Sequence, residues 1–175
     1  MVSKRKYIIS FSGLALGKHE YEYHLKNSFF EALDYSEIKI GNVRIDVRLN
    51  KQSTLLILDF IVRGTVTVPC DRCADDCSVK IKGEYQLFVK YVGTVEKNEK
   101  IEDDLVALSA KDGEVDIAHH LYEYTILSLP AKRVHEKLID CNQEVIKKLK
   151  EIEIAEKNQS TDPRWDKLKH LKFNN

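Results

Sequence analysis

A surplus of charge is the first thing missing from this chain: lysine plus arginine totals 28, aspartate plus glutamate totals 28, and the formal net charge is zero. That balance argues against a protein that coats nucleic acid non-specifically, because such binding draws on excess positive charge. A long apolar run is missing too. The basic start Met1-Val2-Ser3-Lys4-Arg5-Lys6 leads into Tyr7-Ile8-Ile9-Ser10-Phe11, too short and too broken by Ser12 and Gly13 for a signal peptide or membrane span. The polar tracts of a wholly disordered chain are absent, as are internal repeats and low-complexity segments. No Gly-rich phosphate loop, GxSxG elbow or HExxH helix occurs, so nothing specifies an enzyme and a non-catalytic role is expected. What remains is a globular chain of 175 residues, 43% hydrophobic and 32% charged. Its four cysteines, without a secretion signal, point to a reducing cytoplasm, where thiols ligate metal or stay free more often than they pair.

The strongest periodic signal is a two-residue one. Val43, Ile45, Val47 and Leu49 alternate with polar residues, a strand with one wet face. A β-rich run from Leu55 to Val68 follows, with Gly64 marking an expected bulge or bend. Beyond it Val79, Ile81, Tyr85, Leu87, Val89 and Tyr91 share one face, while Lys80, Lys82, Glu84, Gln86 and Lys90 share the other. Short turns between these segments predict an antiparallel meander, curled and barrel-like. Earlier strands are expected at Tyr7 to Phe11 and at His19 to Leu25, with a short helix started by Ser28 and Glu31 as a capping box. The charged stretch from Gly93 to Asp104 reads as a loop.

Helices are expected mainly in the C-terminal half, which makes the class α+β. Asp116 is placed to cap a helix ending at Pro130, with a stripe of Ile117, Leu121, Tyr124 and Leu127 or Ser128. A charged helix from about Gln143 to Glu156 carries Val145, Ile146, Leu149 and Ile152. Asp162-Pro163-Arg164-Trp165 opens a last helix, aspartate at the cap and proline in the first turn, which Trp165, Leu168 and Leu171 would dock. The expected organisation is a sheet-based core over residues 1–141, including the helix at about 116–129, and a helical appendage over 142–175.

Chemistry gathers at Cys70-Asp71-Arg72-Cys73, at the reversal between two long strands. Two thiols separated by two residues on a tight turn supply half of a tetrahedral site. His135 and Cys141, five residues apart after the proline-terminated helix, offer the other half. Cys70, Cys73, His135 and Cys141 would form a closed structural zinc site with no open position. The plain alternative is four small buried thiols and a surface histidine. Cys77 shares parity with Val79 and Ile81 and reads as a core residue. A redox use of Cys70 and Cys73 is the other alternative, with Arg72 favouring thiolate, although such pairs usually open a helix. His119 and His120 are adjacent and point apart, which suits a partly exposed first turn. The acidic stretch from Glu96 to Asp104 suits a solvated connector.

Three segments in this order resemble the YceD family, bacterial and plastid proteins linked to accumulation of large-subunit ribosomal RNA. They are the Cys70-Asp71-Arg72-Cys73 knuckle, the helix start Gly113, Val115, Asp116, Ile117 running through Glu123 to Leu129-Pro130, and Asp162-Pro163-Arg164-Trp165 with Leu168 and Leu171. After Leu129-Pro130 this chain carries only Cys141, preceded by His135, which makes the mixed Cys/His site its version of the cluster. The resemblance implies a role in ribosomal RNA processing or stability, or in large-subunit assembly. Its partners would be ribosomal RNA, a large-subunit ribosomal protein or an assembly factor, with no membrane and no DNA. The expected RNA-facing residues are Lys80, Lys82 and Lys90, with Arg44 and Arg48 if their strand lies alongside; an ordinary solvated sheet face is the rival. Arg164 would contact phosphate or pair with Asp162 or a helix end. A protein-interaction adaptor, docking through the charged helix and the Asp162 helix, is a third reading.

Overall fold

The computed structural model describes residues 4–92, 105–109 and 113–157. After a 3-10 turn at Lys4–Tyr7 come β1 (Ile8–Ser10), β2 (Gly17–Leu25), α1 (Asn27–Glu31), β3 (Ile40–Lys51), β4 (Leu55–Pro69) and β5 (Asp76–Val92). β6 (Leu105–Ser109), β7 (Glu114–Asp116), α2 (Ala118–Leu127) and α3 (Gln143–Lys157) complete the set. The class is α+β, as the periodicity predicts. β2 to β5 form an antiparallel meander, and β6 joins β5 in parallel to give the order β2-β3-β4-β5-β6. β2 and β6 are its edges among the described residues, so the sheet is open where the sequence suggested a barrel-like curl.

Alternation does what it predicts. Val43, Ile45, Val47 and Leu49 of β3 and Leu56, Leu58, Phe60 and Val62 of β4 are fully buried on one face. They meet Cys77, Val79, Ile81, Leu87 and Val89 of β5 in one contiguous core. Gly64 makes no bulge: the register runs unbroken from Val43 through Gly64 to Ile81. The glycine is required there because a Cβ would strike the backbone of β3, 2.7 Å from the Val43 Cα and closer still to the Asn42 carbonyl. Close backbone approach and a bulge leave the same mark in a sequence.

The N-terminal strand does not join the meander. β1 pairs with β7, Ile9 opposite Val115, and this ribbon carries the chain straight into α2. The Tyr7 carbonyl accepts the Ile117 N–H at 3.0 Å, and Lys51 Nζ donates to the Phe11 and Leu14 carbonyls, which fastens the ribbon to the end of β3. Ser28 is not the cap of α1; the helix begins at Asn27 behind Lys26, with no side-chain cap. The Asn27 Oδ1 instead accepts the Gly41 N–H and ties the helix to β3. Ile117, not Asp116, takes the N-cap position of α2; Asp116, one residue earlier at the end of β7, accepts the Ala118 N–H at 2.9 Å with its Oδ1. Of the expected α2 stripe, Ile117, Leu121 and Ser128 are buried and Tyr124 packs half-buried on the core; Tyr122 and Thr125 are buried as well, and Leu127 is 65% exposed. Thr125 can be buried because its hydroxyl donates to the Leu121 carbonyl at 2.7 Å.

Helix α2 seats on β5 through aromatic rings. Tyr124 stacks on Tyr85 with ring centres 4.7 Å apart and meets Phe60 at 4.9 Å. Tyr85 Oη and Ser128 Oγ are 3.1 Å apart over Gly83. A Cβ at Gly83 would meet the Ser128 hydroxyl directly and lie 2.8 Å from the Tyr85 hydroxyl. Gly83→Ala is therefore expected to destabilise the protein by about 1–3 kcal/mol, the range for forced overpacking, read as a lower urea midpoint. Of the expected stripe on α3, Ile146 is buried and Val145 half-buried, while Leu149 and Ile152 are exposed.

Candidate metal centre

Six residues, Cys70 to Asp75, connect β4 to β5. Pro69 ends β4 opposite Asp76, where its missing N–H costs no ladder bond. The loop closes on itself: Cys70 N–H donates to the Asp75 carbonyl at 2.8 Å, and Ala74 N–H donates to the Cys70 carbonyl at 2.9 Å. Ala74 lies in the left-handed region at φ 63°. A residue with a Cβ pays about 1–2 kcal/mol for that conformation, and glycine does not. Ala74→Gly should accordingly raise unfolding stability by about 1 kcal/mol without disturbing the sulfurs, measurable as a higher urea midpoint.

The second half arrives after α2. Pro130 closes the helix region, and a 3-10 turn at Leu138–Asp140 sets Cys141 immediately before α3. Asn142 caps α3, its Oδ1 accepting from the N–H groups of Glu144 and Val145. The Gln143 side-chain amide donates to the carbonyls of Leu138, Ile139 and Cys141, holding the turn. The two halves are bolted together by polar contacts the sequence did not advertise. Asp71 N–H donates to the Arg133 carbonyl at 2.7 Å, and the Asp71 carboxylate accepts the Arg133 N–H at 2.6 Å. On the far side Asn142 Nδ2 donates to Asp75 Oδ2 at 3.3 Å. An aspartate between two cysteines of a turn reads as surface; only the long-range register makes it a clamp.

The result is that Cys70, Cys73, His135 and Cys141 lie together, every ligand atom within 4.8 Å of the others, and the four can hold a metal ion. The three cysteines are buried and His135 is half-buried. His135 Nδ1 stands 3.7 Å from Cys73 Sγ and 3.5 Å from Cys141 Sγ. A tetrahedron with metal–sulfur bonds of about 2.3 Å and metal–nitrogen bonds of about 2.0–2.1 Å has S···N edges close to 3.5 Å. Arg72 N–H points at Cys70 Sγ at 3.5 Å, and its guanidinium lies 3.9 Å from Cys141 Sγ. Burial pushes the Cys70 thiol up, but the N–H groups of Arg72, Cys73 and His135 and the His135 ring overcome it and bring the thiol to about 5. Burial raises Cys141, with Cys73 adding to the effect. Cys77 is buried in the core beside this group but is not one of the four; burial, then the neighbouring Cys70, raises its thiol.

Elsewhere the expected RNA-facing positions do not form one continuous surface. Lys80 and Lys82 are exposed on the outer face of β5, and Lys90 lies on the same face eight residues on. β3 is not beside β5; β4 lies between them, and Arg44 faces Lys82 across Arg63. Arg44 is paired with Glu22 at 2.9 Å and Asp46 at 3.0 Å, and Arg48 lies 3.9 Å from Glu20. His119 is exposed and pairs with Glu123. Asp162, Pro163, Arg164 and Trp165 lie outside the described residues, as does the acidic stretch 96–104. Among the described residues no helix is long and apolar enough to cross a membrane.

Comparison with known proteins gives one match. The model of the family described as "Large ribosomal RNA subunit accumulation protein YceD" matches residues 58–172, from early in β4 through the knuckle and α2 to beyond α3. No curated protein and no solved structure matches the chain.

Proposed function

We propose, starting from the fact that this chain belongs to the YceD family, that it is a non-catalytic cytoplasmic factor supporting ribosomal RNA processing or accumulation during large-subunit biogenesis. The observation that carries the reading is the family match over both halves of the Cys/His cluster and the helix between them. Three thiol ligands and one imidazole in a closed, buried set suit Zn²⁺ held structurally, since a catalytic zinc site keeps a fourth position for water or substrate. In that role Cys70, Cys73, His135 and Cys141 hold the ion, and the ion pins the β4–β5 turn to the segment before α3.

The neutral overall charge favours a small defined contact with RNA or a ribosomal protein over a broad basic groove. The test is to isolate the tagged protein from cells and quantify the RNA that comes with it. Enrichment of large-subunit ribosomal RNA, together with depletion of large subunits when the gene is removed, is the expected result. Normal large-subunit levels in cells without the protein would refute it. A thiol-redox reading draws on the depressed Cys70 thiol, but Cys70 is only 3% exposed and sits in a β-turn, whereas reactive cysteines are reached by solvent. Iodoacetamide labelling of the metal-replete protein separates the two, since only the redox reading predicts rapid modification.

A further inference from the structure

The outer face of the sheet is not uniform. The strand register sorts it into rows running across β3, β4 and β5. Arg44, Arg63 and Lys82 form one row; Asn42, Thr65 and Lys80 form the next; Ile40, Thr67 and Ser78 form the third. No carboxylate interrupts these three rows, and all nine side chains except the half-buried Thr67 are exposed. Acidic residues begin on either side: Asp46 and Glu84 share the row above, and Asp76 lies beside Pro69 below. In a chain of zero net charge, the cations have been gathered at the knuckle end of the meander.

Arg63 is the centre of the group, and neither the periodicity nor the family resemblance singled it out. Arg44 is neutralised by Glu22 and Asp46, but Arg63, Lys80 and Lys82 have no acidic partner among the described residues. Adjacent strands are about 4.8 Å apart, and alternate residues along a strand about 6.6–6.8 Å apart. That lattice presents three cations at a spacing comparable to successive phosphates of one nucleic-acid strand, with the Thr65 and Ser78 hydroxyls as additional donors. Lys90 does not belong to it. Eight residues of strand put it roughly 27 Å from Lys82, beyond the Glu84 and Gln86 rows.

We infer that this patch, Arg63, Lys80 and Lys82 with Thr65 and Ser78, is a docking surface for the phosphate backbone of a single RNA strand. The inference rests on the proposed role in ribosomal RNA metabolism and assigns the contact to one end of the sheet. Contacts of this kind position an RNA without reading its bases, so little sequence preference is expected. Three phosphates neutralised on a single strand give a slope of log affinity against log salt of about −2, equivalent to roughly 20-fold weaker binding at 200 mM than at 50 mM salt.

The experiment uses the full chain, purified with zinc, and a fluorescently labelled 20-nucleotide single-stranded RNA of mixed sequence, titrated at several salt concentrations. The triple variant Arg63→Gln, Lys80→Gln, Lys82→Gln should lose most of the affinity and nearly all of the salt dependence, while Lys90→Gln leaves both unchanged. Unchanged thermal unfolding of the triple variant shows that the fold is intact, as expected for solvent-facing side chains. Equal losses from Lys90→Gln, or undiminished binding by the triple variant, would overturn the inference. So would a wild-type protein that ignores this RNA yet still co-purifies with large-subunit ribosomal RNA from cells. In that last case the biological role stands and the contact is made through a protein.

Discussion

Replacing Cys73 with serine is expected to remove the metal and, with it, a large part of the protein's resistance to unfolding. The wild-type chain should carry about one zinc ion after purification without chelator, as four ligands around one tetrahedral position require. Cobalt substitution should give the intense visible absorption of a tetrahedral thiolate complex. Binding to the folded state alone stabilises by mass action, about 4 kcal/mol when free zinc exceeds its dissociation constant a thousandfold. Cys73→Ser, Cys141→Ser or a strong chelator should abolish that increment, seen as a denaturant midpoint no longer responsive to added zinc. Cys77→Ala is the matched control: the same residue type, equally buried, four residues on at the start of β5, yet outside the set of four. It should keep its metal. Loss of zinc from Cys77→Ala, or a wild-type protein with no zinc and freely titratable thiols, would break the assignment.

The second large effect belongs to the core. Phe60 occupies the middle of β4, the central strand, is fully buried, and receives the Tyr124 ring at 61° with centres 4.9 Å apart. Phe60→Ala should cost about 3–5 kcal/mol, combining lost burial with the cavity left behind. The lost edge-to-face contact belongs within that total, at about 0.5–1.5 kcal/mol. Urea titration at fixed zinc would measure it. A loss below about 1 kcal/mol would mean that α2 does not seat on the sheet as described, because only a collapsible site forgives so large a deletion. Leu55→Ala, half-buried at the start of the same strand, should cost far less.

The meander was legible because every second residue of β3, β4 and β5 had to be apolar for a sheet with one dry face, and a one-residue slip would have inverted the pattern. The four Cys and His residues stood out in the sequence by type and spacing, and the fold brings their ligand atoms within 4.8 Å of one another. What escaped the sequence was whatever depended on distant pairing. Nothing near Ile9 announces that Val115 will lie opposite it, and nothing at Asp71 announces Arg133. Parallel addition of β6 to β5 was equally silent. The α2 stripe of Ile117, Leu121, Tyr124 and Ser128 was legible from its spacing, whereas Thr125 escaped because it looks polar until its hydroxyl is satisfied by the Leu121 carbonyl. Gly64 suggests a bulge or bend in the sequence because composition registers a missing side chain but not its reason, here the close approach of the β3 backbone. Arg63 was passed over since it follows an apolar run; only the cross-strand register shows it between two other cations.

Cys73 and His135 are 62 positions apart, with β5 and α2 between them. Joining such distant points costs loop-closure entropy that no ion can repay until the intervening hairpin and helix have docked. The cage is thus a product of late assembly, and its strength falls on the escape rate of the finished molecule, with little influence on how fast the chain first collapses. A metal held by these four residues would act as a latch on the completed architecture, so a chain starved of zinc should still reach its shape and simply fail to keep it for long.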